Sequence, residues 1–155
     1  MRIFRTIAAA ILAVFPAVCA AGDTVLTFKH EGEVSEFDLD ALVSMGAVEI
    51  STTTIWTDGV QTFTGVSLNT FLAEVDVTHG TLKATAVNDY AVEVPVEDAV
   101  DGGPIIAYLS NGEHMSLRDK GPLWIIYPYD SDPKYQTEVI FSRSIWQLDR
   151  LEAIE

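Results

Sequence analysis

Cysteine is almost missing from this 155-residue chain, and basic residues are scarce. The one cysteine, Cys19, lies in the leading stretch Met1–Ala21, where Arg2 and Arg5 precede an apolar core from Ile7 to Val18 and the small pair Ala20-Ala21. A basic start, a short apolar core and a small-residue close make an export signal, with cleavage expected after Ala20 or Ala21. The core is too short for a membrane anchor, since spanning takes about 20 apolar residues. Val18 before Cys19 is not the small residue that lipid attachment needs, and Arg2 and Arg5 are not the adjacent pair of the twin-arginine export route. The expected division is a signal peptide over residues 1–21 and a single domain over 22–155. That domain is placed in the periplasm, with no membrane insertion after cleavage. With Cys19 gone it has no thiol, which excludes a disulfide, a thiolate metal ligand and a cysteine nucleophile.

The shortage of positive charge excludes other partners. Setting aside Arg2 and Arg5 from the nine Lys+Arg leaves seven against 23 Asp+Glu, a net charge of −16. Such a surface repels nucleic acid and anionic lipid, so no nucleic-acid partner is expected. Solubility in an envelope compartment accounts for most of that charge. Catalytic signatures are missing too. No Gly-x-Ser-x-Gly elbow occurs, and His30, His79 and His114 each stand among polar or turn residues, which leaves no activated nucleophile. No His-x₃-His or Glu-x-x-His spacing offers a zinc site. Gly102-Gly103 lacks the phosphate-loop and dinucleotide spacings. Carboxylates stand singly in loops, so no glycosidase pair is defined.

What is present is a succession of short apolar segments. Thr24–Lys29 alternates as a strand, and the polar residues 30–33 form a turn. Asp38 caps a helical face of Leu39, Leu42 and Val43 that stops at Gly46. Val48–Trp56 reads as a strand before an Asp58-Gly59 turn. Phe63–Val66 leads into a short helix capped by Ser67, with Leu68, Phe71, Leu72 and Val75 as its buried stripe. Thr81–Val87 and Tyr90–Val96 pair across Asn88-Asp89, and Pro95 points to an edge. Glu97–Gly103 is an acidic turn, and Ile105–Leu109 a buried run. Asn111-Gly112 opens a polar arm leading to Leu123–Tyr127, a buried strand closed by Pro128. After a loop at Asp130–Lys134 come Val139–Phe141 and Ile145–Ile154, with Trp146, Leu148, Leu151 and Ile154 as core candidates. Strands mixed with a few short helices, without regular βαβ spacing, give the α+β class.

Aromatic side chains collect at the ends of these segments: Trp56, Tyr90, Trp124, Tyr127, Tyr129, Tyr135 and Trp146. Asn88, Asp89, Arg118, Lys120 and Arg143 are near them in sequence. A few polar groups converging on an aromatic pocket is how ligand sites are built. Each has a plainer reading: Trp124 and Trp146 as core, Asn88-Asp89 as turn chemistry, Arg118 and Lys120 as solvated charges.

Phe63-Thr64-Gly65-Val66-Ser67-Leu68, Ala86-Val87-Asn88-Asp89-Tyr90, Asn111-Gly112, Arg118–Trp124 and Ser144-Ile145-Trp146-Gln147-Leu148 occur in order. Together they resemble the later part of the molybdopterin-binding domain of the sulfite oxidase family, over roughly Thr53 to Ile154. The resemblance implies that family's mixed β-sheet fold with a few short helices. It also exposes departures. The family holds molybdenum through a cysteine upstream of the Phe-x-Gly-Val segment, and none survives here. Where the family has an arginine, this chain has Trp124, and where it has Lys-Trp, this chain has Ile145-Trp146. The resemblance therefore points to the small periplasmic, cysteine-less branch, with a free pterin as ligand in place of the molybdenum cofactor. Its implied partner is the periplasmic domain of a membrane-bound sensor that makes or degrades cyclic di-GMP.

On that reading Asp89 accepts the guanidine-like edge of a pterin. Tyr90, Trp124 and Trp146 wall the ring, with Asn88 beside them, and Arg118 and Lys120 flank the mouth. The alternative is a molybdopterin-dependent oxidoreductase of the sulfite oxidase type. A third possibility, an envelope interaction module without a small ligand, requires Trp124 and Trp146 to be fully buried with no cavity beside them.

Overall fold

The computed structural model describes residues 22–155, so the expected signal stretch lies outside the described residues. In chain order the elements begin with strands β1 (Thr24–His30) and β2 (Glu33–Asp38), a hairpin closed by the Glu31-Gly32 turn. Helix α1 (Leu39–Ser44) follows, then strands β3 (Val48–Thr52) and β4 (Gln61–Ser67) and helix α2 (Leu68–Glu74). Strands β5 (Thr81–Ala86) and β6 (Ala91–Pro95) form the next hairpin. The chain ends with β7 (Ile105–Ser110), β8 (Glu113–His114), β9 (Trp124–Ile126), helix α3 (Glu138–Arg143) and β10 (Leu148–Ile154).

Two five-stranded sheets result. One has the order β2-β1-β10-β5-β6; the other runs β3-β4-β7-β8, with β9 also pairing on β7. β1 and β10 run parallel, and the other strand pairs are antiparallel. The inner faces share one apolar cluster, including Leu26, Phe28, Phe63, Phe71, Leu82, Ile105, Ile106, Leu123, Ile125 and Leu151. Burying each large apolar side chain is worth about 1.5–3 kcal/mol against leaving it in water, which makes this cluster the main source of stability. The expected run Leu123–Tyr127 contributes five buried residues to it, but only Trp124–Ile126 are strand, shorter than the expected Leu123–Tyr127.

Several expectations need correction. The strand begun at Val48 stops at Thr52 instead of reaching Trp56, because Asp130 takes the next residue. Thr53 donates from its backbone N–H and its hydroxyl to the Asp130 carboxylate, at 2.7 and 2.6 Å. β2 was not anticipated: it lies on an edge and its residues are largely exposed, so no apolar alternation marks it. Ser67 stands at the N-cap of α2 but its hydroxyl makes no capping bond there. Trp146 and Ile154 are not core residues, being 38% and 41% exposed.

The segment from Ile145 to Leu148 joins the sheets. On one side the Ile125 N–H donates to the Ile145 carbonyl, and the Gln147 and Leu148 N–H groups donate to Lys120 and Leu123, all at 2.9 Å. On the other side the Val87 N–H donates to the Gln147 carbonyl, also at 2.9 Å. This crossing sets Trp146 opposite the β5–β6 turn.

Candidate functional site

The β5–β6 turn is built by its own residues. Asp89 sits in the left-handed region at φ 66°, which Asp and Asn tolerate better than other side chains. The Ala86 N–H donates to the Tyr90 carbonyl at 2.8 Å, and the Asn88 side-chain oxygen accepts from the Tyr90 N–H at 3.2 Å. Asn88 and Tyr90 thereby line one wall of a cleft of about 360 Å³. Trp146, Ile145, Gln147 and Ser144 from the joining segment form another, Phe141 and Ser142 of α3 a third, and Trp56 and Ala86 complete it.

The walls are held from behind by aromatic packing. Trp56 meets Trp124, Tyr129, Phe141 and Trp146 edge-on, with ring centroids 5.8, 6.2, 5.9 and 5.6 Å away. Edge-to-face pairs at these separations are favourable, about 0.5–1.5 kcal/mol each beyond the area they bury. Trp124 is 2% exposed, and its indole N–H donates to the Ser144 carbonyl at 3.1 Å. The Ser144 hydroxyl donates to the Ile140 carbonyl at 2.9 Å and accepts from the Tyr129 hydroxyl at 2.6 Å. α3 is tied down at its end by Arg143, whose guanidinium lies 2.9 Å from Asp98. Asp98 also accepts from the Tyr127 hydroxyl at 2.7 Å.

Of the residues singled out from sequence, Asn88, Tyr90 and Trp146 come together in the cleft lining. Asp89 does not. Its side chain is 82% exposed, and its carboxylate accepts from Arg150 at 2.8 Å. The left-handed turn gives it a different partner from its two neighbours, and it is not among the residues that line the cleft. Trp124 is a layer behind the lining, packed on both Trp56 and Trp146. Lys120 stands over the rings of Trp124 and Trp146 with its ammonium 5.8 and 5.6 Å from their centroids. Arg118 is exposed on the 3-10 turn Leu117–Asp119 and takes no part in the lining. Phe141, Ser142 and Ser144 were missed. Ser144 belongs to a motif already noted, but only the fold turns α3 toward the cleft.

Among the described residues, no charged side chain lines the cleft. Burial pushes the Tyr129 phenol up to about 12. Burial, and then the carboxylate of Asp98 beside it, pushes Tyr127 higher still. Neither phenol gives up a proton near neutrality. The cleft can stack a flat ring and hydrogen-bond its rim through amides, hydroxyls and backbone. A molybdenum centre does not fit this donor set, because no residue from 22 to 155 is a cysteine and the lining has neither imidazole nor carboxylate.

One mixed and one antiparallel sheet, with three short α-helices among the described residues, match the fold of a molybdopterin-binding domain of the sulfite oxidase type, and an aromatic cleft lies at the sheet junction. Residues 25–131 match the family model described as oxidoreductase molybdopterin binding domain, and the chain belongs to that family. The matched stretch holds the Asn88–Tyr90 turn and Trp124; the 141–147 wall lies beyond it. Among solved structures the chain is similar to the sulfane dehydrogenase SoxCD from Paracoccus pantotrophus, with 17% identity and a TM-score of 0.61. That likeness covers 83% of this chain and 37% of the other, and at such identity it shows the fold alone. No curated protein matches the sequence. Trp146 is part-exposed beside the cavity, whereas Trp124 is buried behind it.

Proposed function

We propose that this protein binds a free, uncharged pterin-class ring in the cleft and performs no molybdenum chemistry of its own. The observation that carries this reading is the lining: Trp56, Tyr90, Phe141 and Trp146 provide aromatic faces, with no sulfur and no charged group among them. A pteridine offers two flat faces and a rim of alternating donors and acceptors. Amides such as Asn88 and Gln147 meet such a rim in either sense, since each carries both a donor and an acceptor. A phosphate-bearing molybdopterin finds no cation inside the cleft, and the net charge of −16 over residues 22–155 disfavours its approach. The export signal expected over residues 1–21 supports a periplasmic setting. The resemblance adds a partner, the periplasmic domain of a membrane-bound cyclic di-GMP regulator, to which the protein reports whether a pterin is bound.

Titrating a reduced pterin while following tryptophan fluorescence tests the ligand. Saturable quenching at micromolar pterin is expected, weakened about ten-fold, or 1.4 kcal/mol, by Trp146→Ala. No quenching at millimolar pterin ends the reading. The second reading is a molybdopterin oxidoreductase of the sulfite oxidase type, and stoichiometric molybdenum in protein purified from its own periplasm would install it.

A further inference from the structure

The parallel pairing of β1 with β10 brings three metal-ligating side chains to one end of the sheet. Lys29 stands opposite Glu152 in that register, so His30 at the end of β1 and Glu155 just past β10 emerge side by side. Glu31, held at φ 49° in the β1–β2 turn, joins them. One ligand atom from each, an imidazole nitrogen and two carboxylate oxygens, lies within 4.8 Å of the other two. They line a cavity of about 430 Å³ whose walls add Glu33, Asp76 and His79. It lies at the opposite end of β10 from the cleft, about 20 Å away at the usual rise per strand residue.

We propose that this cavity binds a divalent transition-metal ion, zinc in the first instance, on His30, Glu31 and Glu155. The donor set is mixed rather than merely acidic. Imidazole with carboxylates suits zinc or manganese, whereas calcium takes six to eight oxygens. Ions of this size hold their ligands at about 2.0–2.2 Å, so modest side-chain rotations close the three donors around one centre. The His30 ring is steadied from within, its centroid 6.3 Å from that of buried Phe28. The adjacent residue Lys29 has its own partner, its ammonium being paired with Glu152 at 2.9 Å. Among the described residues, His30, Glu31 and Glu155 form no ion pair of their own. Glu33 and Asp76 add negative potential that concentrates cations in the cavity. The bound ion clasps the β1–β2 turn to the end of β10, and stabilises the fold because the unfolded chain does not assemble these donors.

The test is calorimetric titration of the untagged, EDTA-treated protein with zinc chloride, with calcium chloride for comparison and thermal unfolding in parallel. One zinc per chain is expected, with a raised Tm and much weaker calcium binding. His30→Ala and Glu31→Gln should each weaken zinc at least about ten-fold, as loss of even a supporting group does at metal sites, while His114→Ala, on the other sheet, keeps the wild-type affinity. Glu31→Gln, at an exposed turn, serves if His30→Ala fails to fold. Absence of zinc binding by the folded wild type, or unchanged affinity in both donor variants, overturns the site. Neither outcome bears on the pterin cleft.

Discussion

At Asp89 the carboxylate has a guanidinium 2.8 Å away and water around the rest of it, while Tyr90, one residue on, lines the cleft. Sequence adjacency could not separate the two; the left-handed turn does. Asp89→Ala is therefore expected to leave pterin affinity near the wild-type value in the fluorescence titration, whereas Tyr90→Ala removes an aromatic face and weakens binding. Gly65 shows the same dependence on surroundings. It sits beside the irregularity in the β4–β7 ladder, and a Cβ there would run into the Ile106 carbonyl and the Ala107 backbone. Gly65→Ala should cost about 3 kcal/mol, the upper end for overpacking, read as a lower denaturation midpoint with an unchanged slope.

Among the elements, two helix starts that look alike in sequence behave differently. The Asp38 carboxylate caps α1 by accepting from the Ala41 N–H at 2.8 Å, and also accepts from the Gly22 N–H at 2.9 Å. Asp38→Ala should cost about 1 kcal/mol in chemical denaturation, the usual loss of an N-cap. Ser67 precedes α2 directly from β4, and no side-chain cap bond forms there. Ser67→Ala should leave the midpoint close to wild type. The periodic segments were legible because their apolar spacing is dictated by the element itself: β1, β5, β7, β9 and Leu68, Phe71 and Leu72 of α2 fall where the pattern puts them, while Val75 sits part-buried at the C-cap. β2 and the early end of β3 were not, because pairing with β1 and capture by Asp130 determine them.

For the molecule as a whole, the buried phenols make stability fall in alkali. Tyr127 and Tyr129 have folded-state values raised above the ordinary phenol, so their neutral forms favour the fold. That contribution is complete below about pH 10, where an unfolded tyrosine ionises, and is lost as pH rises beyond it. Phenolate absorbance should therefore show these two ionising only together with unfolding, and Tyr129→Phe should flatten that loss. At the acid end, hydrogen bonds from Thr53, first from its hydroxyl and then from its N–H, hold Asp130 below the usual carboxylate range. Its contribution is present above that range and lost as pH falls through the lowered value, and Asp130→Asn should remove that part of the acid sensitivity. The amino-acid order alone determined the α+β class, the buried run Leu123–Tyr127 and the family, because apolar periodicity and ordered motifs are properties of the chain read along its length. It also leaves residues 22–155 without a thiol. The tertiary structure decided which side chains meet: Phe141, Ser142 and Trp56 enter the cleft, Asp89 leaves it for Arg150, and Trp124 retreats behind Trp146. Those outcomes depend on how two sheets and α3 pack together residues far apart in sequence, Asp89 and Arg150 being 61 positions apart, a distance over which spacing carries no geometric information.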